Sequence, residues 1–409
     1  MTSIADAEKR LASGSVVGGM LLVSGCCIGA GMLALPILTG LAGFFPSLSM
    51  LLLAWAFMTF TGFLLVEATG WFDGPANLVS MTRESLGEAG RWACWLSYLF
   101  LFYSLLAAYI AASGSVFAAI LDRLFHISVP AWAASLFFTA CFGYIVYLGT
   151  RPIDLINRIF MAGLIVTYLG MIGLGISRIQ PELLLRWAPQ LMFSSLPVLV
   201  ISFGFQNMIP SLTAYMKGDL RRVRLAILGG SAIALAIYLV WSLFVLGVVP
   251  LQGPNGILES YEKGEEATSA LHAALDSAAI GYFAQGFAFF AIVTSFIAVG
   301  LSLTHFLADG LKLPSEEKRG RFLSLLALVP PLIFALYKPS VFFQALNFAG
   351  GICAMVLFGI LPVLMVWVGR YRKELSSAYR VAGGKVSLAL ALLFSVFVIG
   401  CELDRLLSF

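Results

Sequence analysis

The amino-acid sequence predicts an all-α protein that crosses a membrane many times. Of its 409 residues, 60% are hydrophobic and only 11% are charged, whereas about 25% of the residues of a soluble domain are charged. So few charges cannot cover a water-exposed surface, and the chain is too hydrophobic for a disordered protein. The net charge of +4 is too small and too dispersed for a nucleic-acid-binding surface.

Eleven apolar runs are long enough to cross a bilayer, which takes roughly 20 residues. Bilayer hydrocarbon offers no partner to free backbone groups, so each run must be helical, and the alternating pattern of barrel strands is absent. In chain order the runs are 14–40, 45–70, 92–121, 130–149, 153–177, 191–214, 225–249, 281–308, 322–337, 341–369 and 384–407.

Lysine and arginine in the connecting loops predict the orientation, because cytoplasmic loops are enriched in them. With residues 1–13 as a cytoplasmic segment, only six of the 25 bases fall outside, and an odd number of spans leaves the C-terminus outside. These six are Arg123, Arg178, Arg186, Lys263, Lys338 and Arg405. Trp187, Trp241 and Trp367 lie near run ends, where indoles favour the interface.

Two runs carry helix-breaking residues at matching places. The first run holds three glycines within seven residues, Gly25 to Gly31, followed by Pro36, and the sixth run holds Gly204 and Pro210. These runs are five apart, so they take equivalent positions in two five-span halves of opposite orientation. Such paired interruptions indicate a transporter site at the membrane midplane. The alternative is that the glycines only form close helix-packing faces.

An unwound segment inside a membrane exposes amide N–H groups and carbonyls, which is tolerable only along a cavity. The freed N-terminus of a half-helix suits a carboxylate, and freed carbonyls suit an ammonium group or a cation. An α-amino acid carries both charges. The two breaks together therefore predict a carrier of amino acids.

Five ordered motifs over nearly the whole chain resemble the hydroxy and aromatic amino acid permeases of the amino acid–polyamine–cation superfamily, in particular the tyrosine and tryptophan permeases. They are Ile-Gly-Ala-Gly-Met-Leu-Ala-Leu-Pro at 28–36, Ala-Ala-Tyr-Ile at 107–110, Ser-Phe-Gly-Phe at 202–205 with Ile-Pro-Ser at 209–211, Thr-Ser-Phe at 294–296 with Leu-Ala-Asp at 307–309, and Tyr-Arg-Val at 379–381 with Gly383 and Gly384.

The resemblance implies a leucine-transporter-type inverted repeat with broken helices 1 and 6. Its two five-helix repeats would be 14–177 and 191–369, and an eleventh helix would be 384–407. It also implies alternating access and cation-coupled import of aromatic amino acids across the cell inner membrane. Neither a HExxH nor a GxSxG motif occurs and the three histidines are scattered, so no enzyme is expected, nor any cofactor besides a coupling ion.

By this resemblance, the amides of Gly29 and neighbouring residues bind the substrate carboxylate, and carbonyls near Gly25 and Ser202 bind its ammonium group. For the aromatic ring, Phe205 is the first choice, followed by Phe203 and Tyr109. The predicted substrate-binding residues are Ser24, Gly25, Cys26, Gly29, Ala30, Gly31, Tyr109, Ser202, Phe203, Phe205 and Gln206.

The coupling ion is open between Na⁺ and H⁺. Ala291, Thr294 and Ser295 share one helical face, and with carbonyls of Gly25 and Ile28 they form an oxygen set suited to Na⁺. The alternative is that these hydroxyls only bond back to the preceding helical turn.

A departure from the family weakens proton coupling. The family usually has a histidine after Ser-Phe-Gly-Phe, where this chain has Gln206, which cannot titrate. A proton-coupled carrier needs a titratable group near its site, and the candidates are Glu67, His305 and Asp309. The residues slightly favour Na⁺; proton symport of the same substrates, or a serine/threonine-type permease of the same fold, is the alternative.

Overall fold

The computed structural model describes residues 14–72, 77–275, 277–311, 316–338 and 341–407; the predicted cytoplasmic segment 1–13 lies outside this part of the chain. All regular elements in it are helical, which confirms the all-α prediction. The helices are α1 (Val16–Cys27), α2 (Gly31–Gly40), α3 (Phe44–Thr69), α4 (Leu78–Phe125), α5 (Ala131–Leu148), α6 (Thr150–Gly175), α7 (Pro181–Leu184), α8 (Leu196–Ser202), α9 (Ile209–Tyr215), α10 (Leu220–Val248), α11 (Ile257–Lys263), α12 (Ala267–Ala274), α13 (Ala278–Leu311), α14 (Glu316–Tyr337), α15 (Val341–Phe348), α16 (Leu361–Tyr371) and α17 (Gly384–Leu407).

Nine of the described segments are long and apolar enough to cross a membrane, and the bent pair α1 and α2 makes a tenth. The run predicted at 322–337 coincides with the shorter apolar helix Phe322–Tyr337 at the end of α14. The chain is therefore a multi-pass membrane protein, and the eleven-span count stays a prediction.

The first predicted break is present. Helix α1 ends at Cys27, Ile28 has an extended backbone, and α2 starts at Gly31 at an angle of 59° to α1. Pro36 lies inside α2 and cannot donate to the carbonyl of Met32 one turn earlier. The break thus follows from the local sequence of glycines and proline.

The second predicted break is also present. Helix α8 ends at Ser202, residues 203–205 are irregular, and a 3₁₀ turn Gln206–Met208 leads into α9. Pro210 lies in the first turn of α9, where a missing N–H is harmless because it has no intrahelical acceptor.

Close helix packing surrounds the first break. Helix α1 lies along α10, where a Cβ on Gly230 would be only 2.6 Å from the Met20 carbonyl oxygen. Gly14 and Gly18, ahead of and within α1, both face the Tyr215 ring at the end of α9. Packing thus explains these two glycines, whereas a Cβ on Gly25 would meet only Met161 Cε, at 3.9 Å.

Candidate functional site

A cavity of about 230 Å³ lies between the two breaks. The first break and the second break form part of its wall, and the rest comes from α4, α6, α13, α15 and the π-helix Ala349–Ile360 that follows α15. The lining residues are Gly25, Cys26, Cys27, Ile28, Gly29, Gly31, Leu101, Phe102, Leu105, Tyr109, Asn157, Met161, Ile201, Ser202, Gly204, Asn207, Thr294, Ser295, Ala298, Val299, Ser302, Leu346 and Phe358. The structure thus brings together residues up to about 330 positions apart in sequence.

Most of the predicted site residues line this cavity, and six do not. Those on its wall are Gly25, Cys26, Ile28, Gly29, Gly31, Tyr109, Ser202, Thr294 and Ser295. Those outside it are Ser24, Ala30, Phe203, Phe205, Gln206 and Ala291. The side chain of Tyr109 is 6% exposed, and it is the predicted aromatic residue that reaches the wall.

The predicted ring contacts of Phe205 and Phe203 need correction. Both side chains are fully buried away from the cavity. A Cβ on Gly62 of α3 would lie 2.9 Å from the Phe205 ring, so that ring packs on α3, and Phe203 packs edge-on against Tyr238 at 5.3 Å. The irregular backbone after Ser202 turns these side chains away from the cavity. The spacing of the residues along the sequence does not reveal this direction.

Gln206 also points away from the cavity. Its Nε2 donates to the carbonyl of Met58 on α3 at 3.0 Å, and the residue is fully buried. Gln206 therefore anchors the second break to α3. Gln206 does not line the cavity, and its contact with substrate stays a prediction.

Backbone groups on the cavity wall remain available. Within the described residues, the N–H groups of Gly29 and Gly31 have no hydrogen-bond acceptor. The first amides of α2 that bond back along the chain are those of Met32 and Leu33, which donate to the carbonyls of Gly29 and Ala30. The carbonyls of Gly25 and Cys26, near the end of α1, likewise receive no backbone bond in this part of the chain. Unpaired donors and acceptors thus stand side by side on one wall.

Two predicted backbone contacts are already engaged. The Ala30 amide donates to Ser295 Oγ at 2.8 Å, so it is not free for a carboxylate. The Ser24 carbonyl accepts the Ile28 amide at 2.9 Å, which completes the last turn of α1. The backbone groups left without a partner at the first break therefore include those of Gly25, Cys26, Gly29 and Gly31.

The hydroxyls considered for Na⁺ have protein partners. Thr294 Oγ1 donates to the Phe290 carbonyl one turn back at 2.7 Å, the bond that the alternative interpretation predicts. Ser295 Oγ accepts the Ala30 amide. Thr294 and Ser295 line the cavity, whereas Ala291 is buried and does not reach it.

Charged side chains are absent from the cavity wall as far as the structure describes the chain. Glu67 is buried and forms an ion pair with Arg370 of α16, with Oε1 at 2.6 Å from Nε. His305 and Asp309 are exposed and lie beyond the cavity. None of the three proton-coupling candidates therefore touches the site.

Sequence reasoning missed two residues of α10 that fix the breaks. The Tyr238 hydroxyl lies 2.5 Å from the Cys27 carbonyl and 2.8 Å from the Ser202 carbonyl. Trp241, predicted at an interface, is instead fully buried, and its Nε1 donates to the Met32 carbonyl at 2.8 Å. That carbonyl is the one left unpaired by Pro36. The available signal in the sequence was a tyrosine or tryptophan inside an apolar run, because the O–H or N–H group of such a side chain needs a hydrogen-bond acceptor when it is buried.

Among the described residues, the exposed part of the cavity wall lies toward one end of the bundle. Three residues of the wall are exposed: Cys26, Asn207 and Ser302. Ser302 lies in the C-terminal half of α13, toward the end of the bundle at which α1 begins. At the opposite end, α2 and α8 are almost wholly buried, and α11 covers α2, since a Cβ on Gly40 would lie 2.8 Å from Ile257 Cδ1.

A multi-pass helical chain with such a cavity between two broken membrane helices has the architecture of a membrane transport protein. The chain belongs to the tryptophan/tyrosine permease family, whose model matches residues 12–402. This membership confirms the resemblance and the prediction that the protein is a permease rather than an enzyme.

Curated relatives match over nearly their full length. The chain is 34% identical to tyrosine-specific transport system 1 of Haemophilus influenzae over 385 residues, covering 93% of this chain and 95% of the relative. It is 32% identical to a tryptophan-specific transport protein of Pseudomonas aeruginosa, covering 93% of each. It is 27% identical to the low affinity tryptophan permease of Escherichia coli, covering 97% and 96%.

Proposed function

We propose that this protein imports aromatic L-amino acids, such as tyrosine, tryptophan and phenylalanine, across the cell inner membrane by cation-coupled alternating access. The observation that carries the proposal is the cavity between the two breaks, with the unpaired amides of Gly29 and Gly31 on its wall. The relatives named as tyrosine-specific and tryptophan-specific transport proteins support the substrate class.

The proposed fold has eleven spans arranged as two inverted five-helix repeats, 14–177 and 191–369, plus the helix at 384–407. The breaks fall in the first and sixth apolar runs, which is the relation that two such repeats require. In the proposed orientation the N-terminus is cytoplasmic and the C-terminus is outside, as the distribution of lysine and arginine favours. The open end of the cavity then faces the cytoplasm.

The substrate carboxylate binds the amides of Gly29 and Gly31 at the start of α2, where the helix dipole also favours an anion. Its ammonium group binds the free carbonyls of Gly25 and Cys26 at the end of α1. Both charged groups of the amino acid are thus held by one unwound segment, and every L-amino acid would be bound alike at this end.

The aromatic ring occupies the apolar part of the cavity. Phe102 and Tyr109 of α4 and Phe358 lie on this wall beside Leu101 and Leu105. Ring–ring contacts with Phe102 or Phe358 contribute about 0.5–1.5 kcal/mol each beyond buried area. This assignment replaces the contact expected from Phe205.

Na⁺ is the proposed coupling ion. The cavity wall offers carbonyls of Gly25 and Ile28 with the hydroxyls of Thr294 and Ser295, which are the hard oxygen donors that such a cation prefers. The described wall holds no carboxylate or imidazole to carry a proton. Proton symport of the same substrates, or serine/threonine transport, is the competing function.

The test is uptake of labelled tryptophan, tyrosine, phenylalanine and serine into proteoliposomes under an imposed Na⁺ or pH gradient. We expect an inward Na⁺ gradient to drive accumulation of the aromatic amino acids, and serine to compete poorly. Preferred uptake of serine would overturn the substrate class. Uptake that follows the pH gradient and ignores Na⁺ would overturn the coupling ion while leaving the substrate class intact.

A further inference from the structure

A second cavity, of about 360 Å³, lies at the closed end of the molecule. Its wall combines the end of α2, the end of α10 and the segment that follows α6. It shares no residue with the central cavity, so it is separate from the proposed substrate site.

Arg186 is the basic residue of this cavity, and its Nε is buried without a hydrogen-bond partner. Glu182, an exposed acid on the same wall, forms no ion pair with it in the described part of the chain. The Nε atom itself is closed off, so an anion in the cavity meets the remaining N–H donors of the Arg186 guanidinium, which have no acceptor in the described part of the chain. The cavity wall thus places a guanidinium and a carboxylate side by side.

The remaining surroundings are apolar and face outward. Phe44, Leu246 and Ile257 complete the wall, while Leu185 and Trp187, on either side of Arg186, are 70% and 68% exposed. Large apolar side chains at the end of membrane-spanning helices lie at headgroup depth, where indoles are enriched. An anion reaching Arg186 here would come from the membrane.

We propose that this cavity binds the headgroup of an amine-bearing phospholipid of the outer leaflet. The phosphate accepts from the Arg186 guanidinium, whose planar donors match phosphate oxygens, and the headgroup ammonium lies toward Glu182. The acyl chains leave over the apolar rim at Leu185 and Phe44. This site would fasten the segment after α6 to the ends of α2 and α10 at the closed end.

The experiment compares wild-type protein with Arg186→Gln, and with Arg178→Gln as a matched control, since Arg178 is an exposed arginine of the same loop outside the cavity. Each protein is purified from phosphatidylethanolamine-containing membranes, and retained lipid is counted by native mass spectrometry. Delipidated protein then receives phosphatidylethanolamine, phosphatidylglycerol, diacylglycerol or inorganic phosphate while its melting temperature is followed.

We expect Arg186→Gln to retain at least threefold less phosphatidylethanolamine than either wild type or Arg178→Gln. Phosphatidylethanolamine should raise the melting temperature of delipidated wild type most, and diacylglycerol should not raise it. Equal lipid retention in all three proteins would overturn the proposal. So would an equal rise with diacylglycerol, which lacks phosphate, or with inorganic phosphate alone, which would indicate a simple anion site. If Arg186→Gln is only less stable than wild type, the amount of phosphatidylethanolamine retained by each protein still tests the proposal.

Discussion

The Tyr238 hydroxyl has one proton and faces two backbone carbonyls, Cys27 at the first break and Ser202 at the second. Both carbonyls lie where helical hydrogen bonding has stopped, so this hydroxyl is a shared donor for two unwound segments. It therefore fixes the separation of the segments between which the substrate is proposed to bind. Tyr238 acts as a positioning residue, because it is buried behind the wall and does not line the cavity.

Tyr238→Phe keeps the ring contact with Phe203 but removes the shared donor. A buried carbonyl left without its partner costs about 1–3 kcal/mol, so we expect the KM for substrate to rise roughly tenfold, since 1.4 kcal/mol is a factor of ten, with a smaller change in maximal uptake. Tyr103→Phe is the control, because the Tyr103 hydroxyl also donates to a carbonyl, that of Leu326 on α14 at 2.9 Å, away from both breaks and from α10. Uptake kinetics that change equally in the two variants would contradict the positioning role.

Gly29 has a matched control in Gly173 of α6. A Cβ on Gly29 would lie 2.5 Å from Ser295 Oγ, whereas a Cβ on Gly173 would have no neighbour within 4 Å, and Gly173 lies outside the cavity wall. Gly29→Ala must therefore displace the hydroxyl that accepts the Ala30 amide. We expect Gly29→Ala to reduce uptake at least tenfold and Gly173→Ala to change it less than threefold, with equal amounts of each protein in the membrane. Unchanged uptake by Gly29→Ala would contradict recognition by this segment.

The direction of individual side chains was the least predictable property from sequence. Phe205 is next to a correctly predicted break, yet its ring packs on α3 beside Gly62. Adjacency along the chain fixes where a residue's backbone lies, but an irregular segment has no regular period from which to read the direction of its side chain. Tyr109 was predictable because it sits within a continuous helix among small residues.

Among the elements, both broken helices could be predicted, because glycine and proline act on their own backbone. Pro36 removes a helical donor wherever the chain folds. The residue that replaces this lost donor could not be predicted in the same way. It is Trp241, whose indole N–H donates to the Met32 carbonyl, and it lies more than 200 residues further along the chain. Local chemistry thus determines where a helix opens, and packing determines which residue closes the gap.

The connection between α16 and α17 is tied to α3 by a buried ion pair. Glu67 accepts from Arg370 Nε at 2.6 Å and from the Val381 amide at 2.7 Å, and the side chains of Glu67 and Arg370 are each 3% exposed. Arg370 also donates to the Val381 carbonyl at 2.8 Å. The Tyr-Arg-Val motif at 379–381 is therefore part of a strap, defined as residues 372–383, that joins α3 to α16.

Glu67→Gln should destabilise the protein by about 3 kcal/mol, because removing one partner of a buried pair leaves the other charge uncompensated. Glu88→Gln is the control, since Glu88 pairs with Arg83 and Arg91 at an exposed position, where ion pairs add little. The measurement is the melting temperature of each purified variant in the same detergent. A similar melting temperature for Glu67→Gln and wild type would show that the strap does not depend on this pair.

At the scale of the whole molecule, the described residues place the opening of the cavity at one end. Exposed Cys26, Asn207 and Ser302 mark it, and α2, α8 and α11 close the other end. A carrier that alternates access must show one open side at a time, whereas a pore would be open at both. Such an opening fits one state of the proposed alternating-access cycle, and in the proposed orientation that state would be open inward.

Cys26 can report this state directly. It is an exposed cysteine on the cavity wall, with Sγ 3.7 Å from the Gly204 carbonyl, whereas Cys353 is buried. In a variant that keeps Cys26 and has serine at the other five cysteines, we expect a membrane-impermeant thiol reagent to label inside-out vesicles. Right-side-out vesicles should be labelled at least fivefold more slowly. A variant keeping only Cys353 should stay unlabelled in both.

Bound substrate should slow the labelling of Cys26, because the proposed ammonium site includes the Cys26 carbonyl and the ligand would fill the space in front of the thiol. Tryptophan at saturating concentration is therefore expected to protect inside-out vesicles severalfold, and an amino acid that is not transported should not protect. Equal labelling from both sides would indicate a continuous pore. Faster labelling in right-side-out vesicles would reverse the proposed orientation, because the open end of the cavity would then face outward.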